Sequence, residues 1–192
     1  MISDKLKETA KETVTTLSKT YGIKSIIFTG DQEKNARQVA KKLKIDEYYA
    51  ELLPVDKVNL LEKMENKKNK NSIIAFVGDG VNDSPAIARA DIGISMGDIA
   101  SDSIVEASKI VLMNGKIKNL LDAIHISKKT MMIVKQNIIF AIIIKILVLI
   151  LTVIGVSNMY FAVFADVGTS ILCILNSIRL LFIKEINIKN NM

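Results

Sequence analysis

Short apolar runs recur along the first two thirds of the chain, each separated from the next by a stretch patterned for a helix. Asp4 to Lys19 carries apolar residues near helical spacing, and Gly22 follows as a helix stop. The β-branched run Ile23 to Thr29 ends at Gly30 and reads as a buried strand. Gln32 to Leu43 returns to helix, Tyr48 to Glu51 is a short strand, and Pro54 opens a helix from Val55 towards Glu65. Glu65–Asn71 reads as a polar loop and Ser72 to Gly78 as a second buried strand, with a short helix beginning near Asp83. Asp91–Met96 and Lys109–Met113 are further strands, with a helix around Ser101–Ala107 between them. Strands alternating with helices predict an α/β fold with a mostly parallel, Rossmann-like sheet and helices on both faces. In such sheets the chemistry gathers at the C-terminal ends of the strands.

At Ile138 the pattern changes. From there to Ile183 the chain is almost continuously apolar, interrupted in charge only by Lys145, Asp166 and Arg179. Ile138 to Val156 is about 19 residues, enough to cross a hydrocarbon core of about 30 Å, and Met159 to about Ile178 is a second span. Gly155 and Asn158 mark a turn, so the two predict a helical hairpin. The expected organisation is an α/β domain over 1–120, a connecting helix over 121–137, a transmembrane hairpin over 138–183 and a tail over 184–192. Lys128, Lys129 and Lys135 flank one end of the hairpin, and Arg179, Lys184 and Lys189 the other, while the connection is uncharged. By the positive-inside tendency both termini are expected in the cytoplasm, with lipid as a partner.

The net charge of +6 first suggests a nucleic-acid partner. The lysines are scattered among glutamates on predicted helices, tryptophan is absent and aromatics reach only 5%, so a solvated helical surface is expected and no nucleic acid. The single cysteine, Cys173, excludes an internal disulfide framework or a cysteine-cluster metal site. Met1 to Ala10 lacks an apolar core, and no signal peptide is expected.

Gly78 to Asp83 holds the candidate chemistry. Two glycines around Asp79 let the backbone turn sharply and approach a ligand. Asp79 and Asp83 can aim two carboxylates at one point, a hard donor set suited to Mg²⁺, while Asn82 can donate to phosphate. The alternative is a polar turn in which Asp83 caps the next helix. Thr29 adds a hydroxyl and Asp31 a carboxylate at another strand end. Lys57, at a helix start, is either a charge for a phosphoryl group or one more surface lysine. Together they form a site able to neutralise a transferring phosphoryl group.

The strings TGD at 29–31, LPVDK at 53–57 and GDGVNDSPAIARADIGISMG at 78–97 resemble the phosphorylation domain of P-type ATPases, which has the haloacid-dehalogenase-like fold. The resemblance implies that Thr29, with Gly30 and Asp31, contacts the phosphoryl group and that Lys57 stabilises its charge. It further implies that Asp79 helps hold Mg²⁺ and that Asn82 and Asp83 complete the network. The family's phosphorylated aspartate lies in a DKTGT string found nowhere in these residues; Asp4-Lys5 is not followed by Thr-Gly-Thr. The expectation is therefore a C-terminal portion of such a pump that does not turn over ATP alone. An N-terminal part would be its missing partner, and ATP would bind mainly on a domain not present here.

Lys145 and Asp166 lie deep in the apolar region, where ionisable residues are costly and are functional candidates by default. Counting from the turn puts them roughly 6 Å apart along the axis, within reach of a lysine stem. They form either a structural ion pair or a cation site in which Asp166 is the ligand and Lys145 neutralises it when empty. The runs KQNIIFAIIIKILVLIL and FAVFADVGTSILCILNSIRLL resemble the last two helices of the zinc/cadmium/lead branch of heavy-metal P-type ATPases. In that branch the matching lysine and aspartate belong to the membrane metal site, which implies Zn²⁺, Cd²⁺ or Pb²⁺ as cargo and a bacterial-type plasma membrane as location. One carboxylate and one lysine do not rank the three metals. Cys173, whose alternative is a soft metal ligand, reads as a small packing residue two turns past Asp166, and His125 as a surface or packing residue rather than a ligand. The competing readings are a non-catalytic membrane protein derived from such a pump and a membrane-tethered phosphatase, against which the absence of any DxDxT string argues.

Overall fold

The computed structural model describes residues 8–78, 81–96, 106–112, 115–156 and 158–182. The chain divides into two units, Met1–Leu121 and Asp122–Met192.

In the first unit α1 (Glu8–Tyr21) buries Thr13, Val14 and Leu17 on one face. It stops where Gly22, at φ +65, returns its N–H to the Ser18 carbonyl, a backbone conformation that favours glycine. β1 (Ile26–Phe28) leads to α2 (Glu33–Leu43), whose Ala36 and Ala40, one turn apart, are buried. β2 (Glu47–Tyr49) then runs parallel to β1, with Ile26 opposite Glu47 and Phe28 opposite Tyr49. Pro54 occupies the first turn of α3 (Pro54–Lys67), where its missing N–H costs nothing, and the Asp56 carboxylate accepts the Leu53 N–H at 3.0 Å. The helix runs on through Glu65–Lys67, where the polar pattern had predicted a loop. No breaker interrupts it there, and Glu65 is held by Arg89 at 2.8 Å.

β3 (Ala75–Gly78), a 3₁₀ turn over Val81–Asp83, α4 (Ser84–Arg89), β4 (Ile92–Met96) and β5 (Ile110–Leu112) complete the unit. β3, β4 and β5 pair in parallel. The Asp91 carboxylate accepts the Ile74 N–H at 2.8 Å and pairs with Lys68, tying the start of β3 to the start of β4. Gly93 is required by contact: a Cβ there would lie 2.2 Å from the Ile87 carbonyl oxygen, so α4 packs directly on the β4 backbone. The described strands pair in parallel as expected, but they form two groups, β1-β2 and β3-β4-β5. Strand grouping depends on main-chain ladders that side-chain pattern does not report. The groups meet through an edge-to-face contact of Phe28 with Phe76 at 6.0 Å. The helix expected around Ser101–Ala107 lies mostly outside the described residues.

In the second unit α5 (Asn119–Val153) continues unbroken through the expected connecting helix into the apolar run. It ends three residues earlier than the composition boundary at Val156. Gly155, at φ +79, donates to the Thr152 carbonyl and Val156 to that of Leu151, a left-handed terminus that closes the helix. Asn158 caps α6 (Met159–Ile178) by accepting the Phe161 N–H at 3.0 Å, and a 3₁₀ turn over Arg179–Phe182 follows. Both helices are long and apolar enough to cross a membrane.

Candidate functional site

The C-terminal ends of β1, β2 and β3 carry the candidate phosphoryl residues. Thr29, directly after β1, is anchored by its N–H on the Tyr49 carbonyl at 3.0 Å and by its carbonyl on the Leu52 N–H at 3.1 Å. Its Oγ1 accepts the Asp31 N–H at 3.0 Å, so the hydroxyl proton stays available for an outside acceptor. Gly30 is exposed and passes close to the Leu52 carbonyl, which a Cβ would approach to 3.3 Å. Asp31 is exposed too, and its carbonyl accepts the Glu51 N–H at 2.9 Å. The turn Thr29-Gly30-Asp31 is thus bonded to the segment that enters α3.

Lys57 sits on the first turn of α3, and its Nζ lies 2.6 Å from Asp83 Oδ1. Their side chains are only 14% and 16% exposed, so Lys57 is not a free surface lysine. Asp83 makes no side-chain cap to α4, which removes the plain capping reading of that residue. Gly78 gives the carboxylate its room: a Cβ there would fall 2.8 Å from Asp83 Cβ and 3.0 Å from Oδ2. Asn82 is exposed beside it. Asp79, the other expected Mg²⁺ ligand, lies outside the described residues. Among the described residues no cluster of three or more His, Cys, Asp or Glu side chains forms a metal site. Among the described residues Asp83 offers a hard carboxylate, its Oδ1 held by Lys57, and one carboxylate fits Mg²⁺ when phosphate supplies further oxygens.

Elsewhere in the first unit several acids and phenols are held by hydrogen-bond partners. Hydrogen bonds from Lys24 and Tyr49 hold the Glu47 carboxyl below its usual range, and the Glu33 carboxylate raises the Tyr48 phenol. The Ile74 N–H, then Lys68, hold Asp91 below the ordinary carboxylate value.

In the second unit Lys145 Nζ and Asp166 Oδ1 stand 3.5 Å apart, the pairing expected from counting residues along the two helices. Both side chains are largely exposed, at 70% and 63%, so the hairpin by itself does not enclose them. Cys173 is half-buried and lies two turns along α6 from Asp166. His125 is half-buried on α5. A group unweighed in the sequence lies at the hairpin's open end: Asn137, Asn176, Ser177 and Arg179 form a hydrogen-bonded chain. Its signal was two asparagines bracketing apolar runs, amides that hydrocarbon does not satisfy.

Residues 1–91 match the haloacid dehalogenase-like hydrolase family. The cadmium, zinc and cobalt-transporting ATPase of Bacillus subtilis (strain 168) is 45% identical over 96% of this chain, which covers 26% of that protein. The zinc-transporting ATPase of Synechocystis is 43% identical over 94% of the chain and 25% of its own length. The crystal structure of a zinc-transporting PIB-type ATPase in its E2·Pi state superposes with a TM-score of 0.83 at 33% identity, covering 93% of this chain and 28% of that one. The chain spans about a quarter of the length of the curated relatives it matches.

Proposed function

We propose that the chain, which is similar to metal-transporting P-type ATPases and whose first 91 residues match the haloacid dehalogenase-like family, serves as the C-terminal portion of an ATP-driven zinc, cadmium or lead exporter. The observation that carries this reading is the Lys145–Asp166 pair, formed at 3.5 Å in a hairpin that follows a phosphate-type α/β unit. Asp166 is the carboxylate offered to the cation, and Lys145 balances its charge when no cation is bound. Their open flank leaves room for ligands from helices that this chain does not contain.

In the first unit the Thr29 hydroxyl donates to a phosphoryl oxygen, since its own lone pair already accepts Asp31 N–H. Asp83 holds Lys57 at the strand ends, and Lys57 lends positive charge to the phosphoryl group as it transfers. Gly30 and Asp31 shape the turn, and Asn82 donates from the exposed side. Asp79 and Asp83 would hold Mg²⁺, which supplies charge neutralisation to the phosphate when bound. ATP would bind mainly on a domain outside these residues. The 192 residues contain no DKTGT string, so the isolated chain is expected to form no aspartyl phosphate and to hydrolyse no ATP. Both termini would lie in the cytoplasm of a bacterial-type cell. A non-catalytic protein derived from such a pump is the competing reading. An in-frame DKTGT string in the coding DNA upstream of Met1 separates the two.

The direct test is Asp166→Ala in the complete pump. Zinc-stimulated ATP hydrolysis should be abolished; undiminished stimulation would sink the assignment.

A further inference from the structure

The polar chain at the open end of the hairpin has a direction. Arg179, which has only donors, gives a hydrogen bond to Asn176 Oδ1 at 3.0 Å, and that fixes the orientation of the Asn176 amide. Asn176 Nδ2 must then face outward, and it donates to Asn137 Oδ1 at 2.8 Å, across from α6 to α5. Asn137 Nδ2 in turn donates back to α6, to the Cys173 carbonyl at 3.1 Å and Ser177 Oγ at 3.0 Å. A group that can only donate begins the chain and a group that can only accept ends it. Neither amide can flip without breaking bonds on both sides.

This chain and the Lys145–Asp166 pair lie on one antiparallel seam. Lys145 is eight residues beyond Asn137 on α5, about 12 Å along the axis, and Asp166 is ten residues before Asn176 on α6, about 15 Å. The two contacts are therefore in matching register. The ion pair lies on an exposed flank at 3.5 Å, reached through the long flexible lysine stem, and by itself tolerates sliding. The amide chain is short-stemmed and bonded on both helices. We infer that Asn137 and Asn176 are positioning residues that set the register and rotation of α6 against α5, and so hold Asp166 where the cation is bound. The positioning claim stands on the hairpin geometry alone; its link to the cargo rests on the transport-site reading above.

The test uses the full chain in lipid nanodiscs. With Cys173→Ser removing the one native thiol, Lys145→Cys and Asp166→Cys are bridged by a short bifunctional thiol reagent, and bridging then reads the register of the two helices. Bridging should be efficient with Asn137 intact and fall severalfold with Asn137→Asp, which keeps the shape but removes the donor. Asn137→Leu should behave the same way. Equal bridging in all three overturns the positioning role. In the complete pump Asn137→Asp should raise the zinc KM by a larger factor than it lowers kcat, because the ligand is displaced and not removed. An unchanged KM overturns the link to the site. If Asp166→Ala leaves zinc stimulation intact while bridging is still lost, the transport reading fails and the register device stands.

Discussion

Replacing Lys57 by methionine keeps the apolar stem and removes the charge, leaving Asp83 largely buried without its partner. At the observed 2.6 Å the two charges attract by about 6 kcal/mol at an effective dielectric of ~20. Desolvating two ions whose side chains are 14% and 16% exposed offsets several kcal/mol of that. The remaining net value is that of a charged hydrogen bond, about 1.5–3 kcal/mol. Lys57→Met should cost more than this net value, about 3 kcal/mol, because it strands a buried carboxylate. Asp83→Asn should cost less, and the double variant should fall short of the sum by about 1.5–3 kcal/mol. Urea unfolding in nanodiscs reads this, followed by tyrosine fluorescence: tryptophan is absent, and Tyr21, Tyr48 and Tyr49 of the four tyrosines lie in the first unit. A Lys57→Met loss below about 0.5 kcal/mol, the range of ordinary surface changes, would return Lys57 to the surface lysines and refute the geometry. In the complete pump Lys57→Ala should slow phosphoenzyme formation, and an unaffected rate would remove its role at the phosphate.

Gly93→Ala forces a Cβ to within 2.2 Å of the Ile87 carbonyl oxygen, and α4 must lift from β4. The expected cost reaches the upper end of overpacking, about 3 kcal/mol, in the same urea titration; an unchanged midpoint would disprove the contact. Asp91 is held below its ordinary pKa chiefly by the Ile74 N–H and secondly by Lys68, so its ionised form favours the folded state. Its contribution is present above the unfolded carboxylate pKa of about 3.9 and is lost as pH falls through the lower folded value. Asp91→Asn should therefore lower stability at neutral pH and flatten the stability profile below about pH 4. Parallel profiles for the two proteins would show that the Ile74 bond does not persist in solution.

Much of the fold was written in local pattern. Ile26–Phe28, Ala75–Gly78 and Ile92–Met96 lie inside the apolar runs that predicted strands, and Pro54 opens its helix because a first-turn proline forgoes only an unsatisfied N–H. The hairpin followed from length, hydropathy and the glycine–asparagine turn, and helical rise put Lys145 within a lysine stem's axial reach of Asp166, which the structure pairs at 3.5 Å. These depend on periodicity and reach, which a linear chain carries in itself.

The sequence by itself therefore determined the class of fold and the two membrane-length helices, and it nominated the residues that could hold chemistry. Only the tertiary structure decided how those residues are partnered. In the sequence Asp83 was either a Mg²⁺ ligand or a helix cap, and its lysine partner appeared only when α3 brought Lys57 to 2.6 Å, because an ion pair 26 residues apart leaves no mark in local spacing. The grouping of the described strands into two and three was equally invisible, since it rests on main-chain hydrogen bonds. Asn137 and Asn176 stand 39 residues apart and were silent for the same reason. An amide in an apolar run states a need for a partner, and only the folded chain says which partner meets it.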